Sequence, residues 1–517
     1  MSPSSRKLFD SPIFLAGVTG FYLTVFLVTN NISMLPVSSV VFIALALITP
    51  IVFVVSLISI VYRKMNKEGI VGSVSVFICT VYLLVALRDP ILGLGFIQTN
   101  FNIWGGASST VAKLSYLVPV LVLAGCFSLL FRRYIQIFTI ALSVMTLTAL
   151  APNIKHLSPL YFVDKGRGND QFSQDLLSSP LRIKPNIYLI LADGYGSFSY
   201  MEENKIDVSN FTAYIGEKGF RAYGDVFSSY QPTTAAMSAM LNMEHHYYRP
   251  SRKFGEISKW GRKITGGKNQ LVNYLKSNGY QIEYIHQTAY LLFHGCSADF
   301  CFPVSRFAGA RTVLSQTLPG VLKHYISGKR ITQDMVRQEV IRLIEEGNAN
   351  SRPRFQYIHV YAPSHSSDDK VGICNEAQEL EDYAERISNI NTFLQKLVDT
   401  IISRDAGAVI LISGDHGPYI SENCAWKNNI HTLRDYRDRA GVVMAIRWPY
   451  DYDGRFDGKI RTTINVFRYL FAAMAESEHS VLKTLVQDDV FVRGTENVLK
   501  ILNNGEVLIP PEPQLTE

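Results

Sequence analysis

Five apolar stretches crowd the first third of the chain, at roughly residues 12–29, 37–61, 70–87, 111–131 and 135–152. Each approaches the length of about 20 residues that a helix needs to cross a hydrocarbon core. Any one of them would also suit a buried core helix. In succession, with short loops between, they predict a helical membrane domain, because lipid tolerates only segments that satisfy their own backbone groups. The chain as a whole has 517 residues and is 47% hydrophobic, so the apolarity is concentrated here rather than general. The first stretch has no cleavage site and more spans follow it, which excludes a cleaved signal peptide.

Charge orients these spans. Arg6 and Lys7 precede the first, Arg63, Lys64 and Lys67 follow the second, and Arg132 and Arg133 follow the fourth. The loop from Asn30 to Pro36 is uncharged, and the loop after the third span opens with Arg88 beside Asp89. The positive-inside rule then places the N-terminus in the cytoplasm. Five crossings carry everything beyond about residue 153 to the outside, as expected of an inner-membrane protein with an extracytoplasmic catalytic domain. The expected organisation is a transmembrane domain over 1–152, a juxtamembrane linker over 153–184, a catalytic domain over 185–502 and a Pro-rich polar tail over 503–517. The formal net charge of +6 is modest for this length and partly belongs to the cytoplasmic loops. It gives no case for nucleic acid, and the expected partner is the membrane.

Cysteine usage agrees. Cys79 and Cys126 fall in spans, whereas Cys296, Cys301, Cys374 and Cys424 fall in the outer domain. Four cysteines in an oxidising compartment allow three connectivities. Proximity favours Cys296–Cys301, which leaves Cys374–Cys424.

Beyond the linker, strand patterns at 186–192, 281–286, 355–362, 408–414 and 441–447 alternate with helical patterns at 207–219, 268–278 and 376–402. Such alternation predicts an α/β sandwich around a largely parallel sheet. Two of the apolar strands end on ligand-type residues: Asn186–Ala192 runs into Asp193-Gly194, and Ala408–Ile412 runs into Ser413-Gly414-Asp415-His416-Gly417. Ligands collect at the carboxyl ends of strands in open α/β sheets. Carboxylate oxygens beside an imidazole nitrogen suit zinc or manganese, although each motif alone also reads as an ordinary strand-end turn. A third motif, Gln231-Pro232-Thr233-Thr234-Ala235-Ala236, opens a helix. A hydroxyl there sits among free backbone N–H groups that favour an oxyanion; Thr is also an ordinary helix cap.

Asp193, Thr233 and Asp415-His416, in that order, resemble the metal-and-nucleophile set of the alkaline phosphatase superfamily, in its sulfatase-like branch. The spacing is similar to that of lipoteichoic acid synthases and lipid A phosphoethanolamine transferases, over roughly residues 184–475. Gly194-Tyr195-Gly196, Gly219-Phe220 and Met240-Leu241-Asn242-Met243 fit the same resemblance. It implies one divalent metal held by Asp193, Thr233, Asp415 and His416. Setting Met240-Leu241-Asn242 against the family's nucleophile helix puts the nucleophile at Thr233; a slip of one residue would make it Thr234, which otherwise lines the substrate. The Cys-x-Pro-x-Arg or Ser-x-Pro-x-Arg signature of formylglycine sulfatases is missing, which argues for phosphoryl chemistry on an unmodified Thr.

The same resemblance assigns His365, in Ser364-His365, to the phosphoryl oxygens or the leaving alkoxide. His359, inside the preceding strand, reads as structural. His431 faces either the pocket or solvent, and Arg437 or Arg439 is placed to reach an anionic group. The implied function is transfer of a phosphoglycerol or phosphoethanolamine type headgroup from a phospholipid donor to an envelope glycan or lipid acceptor, through a phospho-threonine type intermediate. A phosphodiesterase, phosphatase or sulfatase-like hydrolase would use the same residues. A non-catalytic lipid-binding regulator would be expected to have lost some of them.

Overall fold

The computed structural model describes residues 9–31, 35, 37–87, 110–131, 135–150, 179–246, 261–303, 310–311, 313–314, 331–347, 352–366, 375–421, 432–491 and 498–500. The chain divides into two units, one of residues 1–165 with 306–329, the other of residues 166–305 with 330–517.

The first unit contains five described helices: α1 (Pro12–Asn30), α2 (Val37–Lys64), α3 (Glu68–Ala86), α4 (Thr110–Phe131) and α5 (Ile135–Leu150). Ser11 caps α1 by accepting from Phe14 N, and Pro12 opens the helix, where a missing N–H costs nothing. Hydroxyls are satisfied within their own helices: Thr19, Thr24, Ser59, Ser75 and Thr80 each donate to the carbonyl four residues back. That economy suits a solvent without hydrogen-bond partners. Gly20 lets α1 meet α2 closely, since a Cβ there would lie 2.7 Å from Ile48 Cα. Phe53, Leu129, Leu130 and Leu147 are each about two-thirds exposed, as side chains facing lipid would be.

Among the described residues three helices are individually long and apolar enough to cross, or up to four if Pro119–Phe131 and Ile135–Leu150 count as one span, so several apolar helices are present and the expected count of about five is approximate. The placement of residues 306–329 in this unit was not expected from sequence; Ala310, Val313 and Leu314 are buried in one cluster with residues of α1, α2 and α3.

The second unit is built on a seven-stranded sheet of order β2-β7-β6-β1-β5-β3-β4. Its strands are β1 (Ile187–Ala192), β2 (Arg221–Tyr223), β3 (Gln281–His286), β4 (Phe300–Phe302), β5 (Arg354–Val360), β6 (Val409–Gly414) and β7 (Met444–Arg447). The helices that matter here are α6 (Ser209–Glu217), α7 (Thr233–Asn242), α8 (Gln270–Ser277), α9 (Gln333–Gly347), α10 (Glu376–Arg404), α11 (Leu433–Ala440) and α12 (Val466–Met474). The central strands β6, β1, β5 and β3 are parallel, whereas β7 runs antiparallel to β6 and pairs β2 at the edge. β1 alternates between two cores: Ile187, Leu189 and Leu191 pack with residues of α7, α8 and α12, and Tyr188, Ile190 and Ala192 with residues of α6, α9 and α10. Burial on both faces is why the strand is apolar throughout.

Candidate metal centre

β1 and β6 are neighbours in register, with Leu191 opposite Ser413 and Ala192 opposite Gly414. Their carboxyl ends therefore deliver Asp193 and Asp415-His416 side by side, although the sequence separates them widely. One donor atom from each of Asp193, Asp415 and His416 lies within 4.8 Å of the others, and all three residues are buried. Asp415 Oδ1 accepts from Gly194 N at 2.9 Å, while Oδ2 lies 3.3 Å from His416 Nε2 and has no hydrogen-bond partner. Asp193 Oδ1 likewise has none. His416 Nδ1–H donates to Gly417 O at 2.8 Å, which fixes the tautomer and leaves the Nε2 lone pair facing the carboxylates. Two buried carboxylate oxygens without hydrogen-bond partners converge beside an imidazole nitrogen, and such carboxylates are costly without a cation. The donor set fits a divalent metal.

Local structure enforces this arrangement. Gly194 has φ +69°, and a Cβ there would fall 2.7 Å from Ser364 C, so both the turn and the approach of the β5 loop require glycine. The Tyr383 hydroxyl, on α10, donates to Gly194 O at 2.8 Å and accepts from Gly196 N at 3.0 Å, bracing the same turn.

α7 starts at Thr233 with Pro232 as its cap. The Thr233 hydroxyl donates to His416 Nε2 at 3.2 Å, at the positive end of the helix dipole. Thr234 is turned elsewhere and donates to the Tyr290 hydroxyl at 3.2 Å. The His365 ring centre lies 5.4 Å from that of His416, and its Nδ1–H donates to Ser366 O at 2.5 Å, which leaves Nε2 as its remaining ring nitrogen. Tyr419, unmarked in the sequence reading, stacks on His416 at 4.5 Å and lies 5.2 Å from His365; its φ of +58° is an uncommon conformation for a large side chain. Tyr361 is half exposed, and burial together with the negative charges of Asp193 and Asp415 raises its hydroxyl above the usual tyrosine range.

Burial alone would raise the Asp193 carboxyl. Contact with His359 and the charges of His416, His359 and His365 outweigh it and bring Asp193 below the usual carboxylate range. His359, read from sequence as structural, stands with Nε2 3.6 Å from Asp193 Oδ2. A histidine following Phe355 and Tyr357 on one face of β5 was the signal available.

The remaining sequence candidates divide. Arg437 forms a fork to Asp225 at 2.8 and 2.6 Å with Glu203 at 3.2 Å, so its donors serve an ion-pair network. Arg439 is buried, and its carbonyl accepts from the Gln231 amide. Cys296 and Cys301 form a disulfide. His431, Cys374 and Cys424 lie outside the described residues.

A largely parallel sheet with acidic and imidazole donors gathered at its carboxyl edge, beside a hydroxyl at a helix start, is the layout of the sulfatase-like branch of the alkaline phosphatase superfamily. The sulfatase family profile matches residues 185–475, more than half of the 517-residue chain. The chain belongs to the sulfatase family. No curated protein sequence matches it. Among solved structures it is similar to the integral membrane lipooligosaccharide phosphoethanolamine transferase A from Neisseria meningitidis, at 10% identity over 82% of this chain and 93% of that one, with a TM-score of 0.39. It is also similar to the zinc complex of the C-terminal periplasmic domain of EptC from Escherichia coli, at 11% identity, 62% and 96% coverage and a TM-score of 0.40. A third similar structure is the corresponding domain of the phosphoethanolamine transferase EptC from Campylobacter jejuni, at 10% identity, 57% and 89% coverage and a TM-score of 0.37.

Proposed function

We propose that the chain is a membrane-bound transferase that moves a phosphoryl-linked headgroup, phosphoglycerol or phosphoethanolamine in type, from a phospholipid to an envelope glycan or lipid. The observation that carries this reading is the Thr233 hydroxyl, held at the start of α7 and 3.2 Å from His416 Nε2. An unmodified threonine at that point is a nucleophile for phosphorus, and the sulfatase signature for a modified residue is missing.

Asp193, Asp415 and His416, with the Thr233 oxygen, would hold one divalent ion, zinc or manganese. When bound, that ion supplies Lewis acidity, lowering the pKa of a coordinated hydroxyl and offsetting charge on phosphoryl oxygens. Thr233 Oγ, whose proton would pass to solvent when the ion is held, attacks the donor phosphorus as the alkoxide and is later released in the same form; the new O–P bond forms as the bond to the diacylglycerol oxygen breaks. His365, as the imidazolium, gives its Nε2 proton to the departing alkoxide. An acceptor hydroxyl then attacks the phospho-threonine, gives up its proton to the same imidazole and releases Thr233. With water as acceptor the same residues perform a hydrolysis. Mass spectrometry of envelope glycans and lipids from cells with and without the protein tests the reading: one phospho-substituent should disappear with the protein, and identical spectra would overturn it.

The disulfide and the basic flanks of the first spans support an extracytoplasmic catalytic domain. A reporter fused after residue 155 should accordingly behave as extracytoplasmic, and one fused at Lys67 as cytoplasmic. A cytoplasmic signal at 155 would mean an even number of crossings and would remove the outer-leaflet donor.

A further inference from the structure

We propose that His359 is a positioning residue for the metal centre: it donates Nε2–H to Asp193 Oδ2 and so aims the other oxygen, Oδ1, at the ion. The inference rests on the metal site of the proposed function and assigns a role to a side chain which that reading leaves unused.

The strand register places it. On β5, His359 stands opposite Leu191 of β1 and His286 of β3. Directly opposite residues project to the same face of a sheet. Leu191 belongs to the core that also holds Met237, Met240 and Leu241 of α7, so His359 faces the side from which Thr233 is presented. His359 is 1% exposed and Asp193 3% exposed, so both groups are shielded from bulk solvent.

The polar surroundings of His359 are sparse. Neither ring nitrogen has a partner at hydrogen-bond distance, and Asp193 Oδ2, at 3.6 Å from Nε2, is the one ion-pair contact found for it among the described residues. His286 meets the ring edge-on, with centroids 5.5 Å apart, and its own nitrogens are also without partners. The same face of β5 carries Phe355 and Tyr357, so packing alone would be met by a hydrocarbon or aromatic side chain at 359. The buried imidazole at 359 stands where its Nε2 reaches the Asp193 carboxylate.

The two carboxylates then follow one plan. Asp415 has Oδ1 held by Gly194 N–H and Oδ2 without a partner. Asp193 has Oδ2 beside His359 and Oδ1 without a partner. Each acid is anchored through one oxygen and offers the other. Contraction of the 3.6 Å contact to hydrogen-bond length needs a shift of only about 0.6 Å. Such outer contacts orient ligands and typically change metal affinity by about 10- to 100-fold.

The test uses the full chain, purified in detergent and stripped with chelator. Zinc and manganese titrations by calorimetry are run alongside thermal melting of the metal-free protein. His359→Gln keeps an N–H near the Nε2 position and should bind metal within a few-fold of wild type. His359→Leu should weaken binding by about 10- to 100-fold while the metal-free melting temperature stays level or rises. His359→Asn, an amide that ends one methylene short, should lose affinity as Leu does, and it replaces the Leu variant should that one fail to fold. Unchanged affinity in Leu and Asn, or a lowered metal-free melting temperature as their main effect, would make His359 purely structural and overturn the inference. Equal loss in Gln would overturn the donor role. A wild type that binds neither ion would instead refute the metal reading on which the inference rests.

Discussion

Asp415→Asn should leave the protein folded and empty of metal, with turnover abolished. The amide keeps an oxygen to accept from Gly194 N, so the link between the β1 and β6 turns survives. What it loses is the anionic Oδ2, which has no protein partner and is therefore the atom available to an ion. Asp193→Ala and His416→Ala should give the same empty centre by removing the other two donors. The Ala variants also forfeit packing in a buried site, and that is why Asn at 415 is the cleaner test. Elemental analysis of the purified protein reads the result directly. Metal content equal to wild type in all three variants would end the assignment of these residues as ligands.

Thr233→Ala should lower turnover by on the order of 10³-fold or more, as loss of a nucleophile does, while metal remains bound through the three other donors. Wild type given donor without acceptor should carry a covalent mass increment on the peptide Gln231–Met243, and fragmentation should place it on Thr233. The geometry separates the two threonines: Thr233 bonds to His416, Thr234 to Tyr290. Thr234→Ala should retain the adduct and cost about 1 kcal/mol of stability, the worth of one hydrogen bond. An adduct on Thr234 would move the nucleophile by one residue. No adduct on wild type would favour direct displacement.

Much of the catalytic domain was legible because its central strands are buried on both faces. β1 and β6 read as unbroken apolar runs whose ends are fixed by Asp193-Gly194 and Gly414-Asp415. What one chain segment cannot show is which partner it meets. β7 was expected as a core strand, yet its antiparallel direction and its pairing with the three-residue β2 depend on connections rather than on local pattern. Arg437 was marked for its charge; Asp225 and Glu203, more than 200 residues away, decide that it is occupied. His359 read as structural and Tyr419 went unmarked, because a lone ring in a strand or loop does not declare which groups it meets. In the membrane unit, hydropathy marked all five helices, because a segment that satisfies its own backbone groups in lipid is apolar along its whole length.

The bond from Gly194 N to Asp415 Oδ1 closes a chain interval of 221 residues. A nascent chain exposes the first acid long before the second, so no stretch of the growing polypeptide holds the full donor set until the β6 turn has been synthesised. On the proposed metal reading, acquisition of the ion would be a late event in biogenesis. A product truncated ahead of residue 415 would carry Asp193 and Thr233 without the two later donors, so the proposed chemistry would have to wait for the β6 turn.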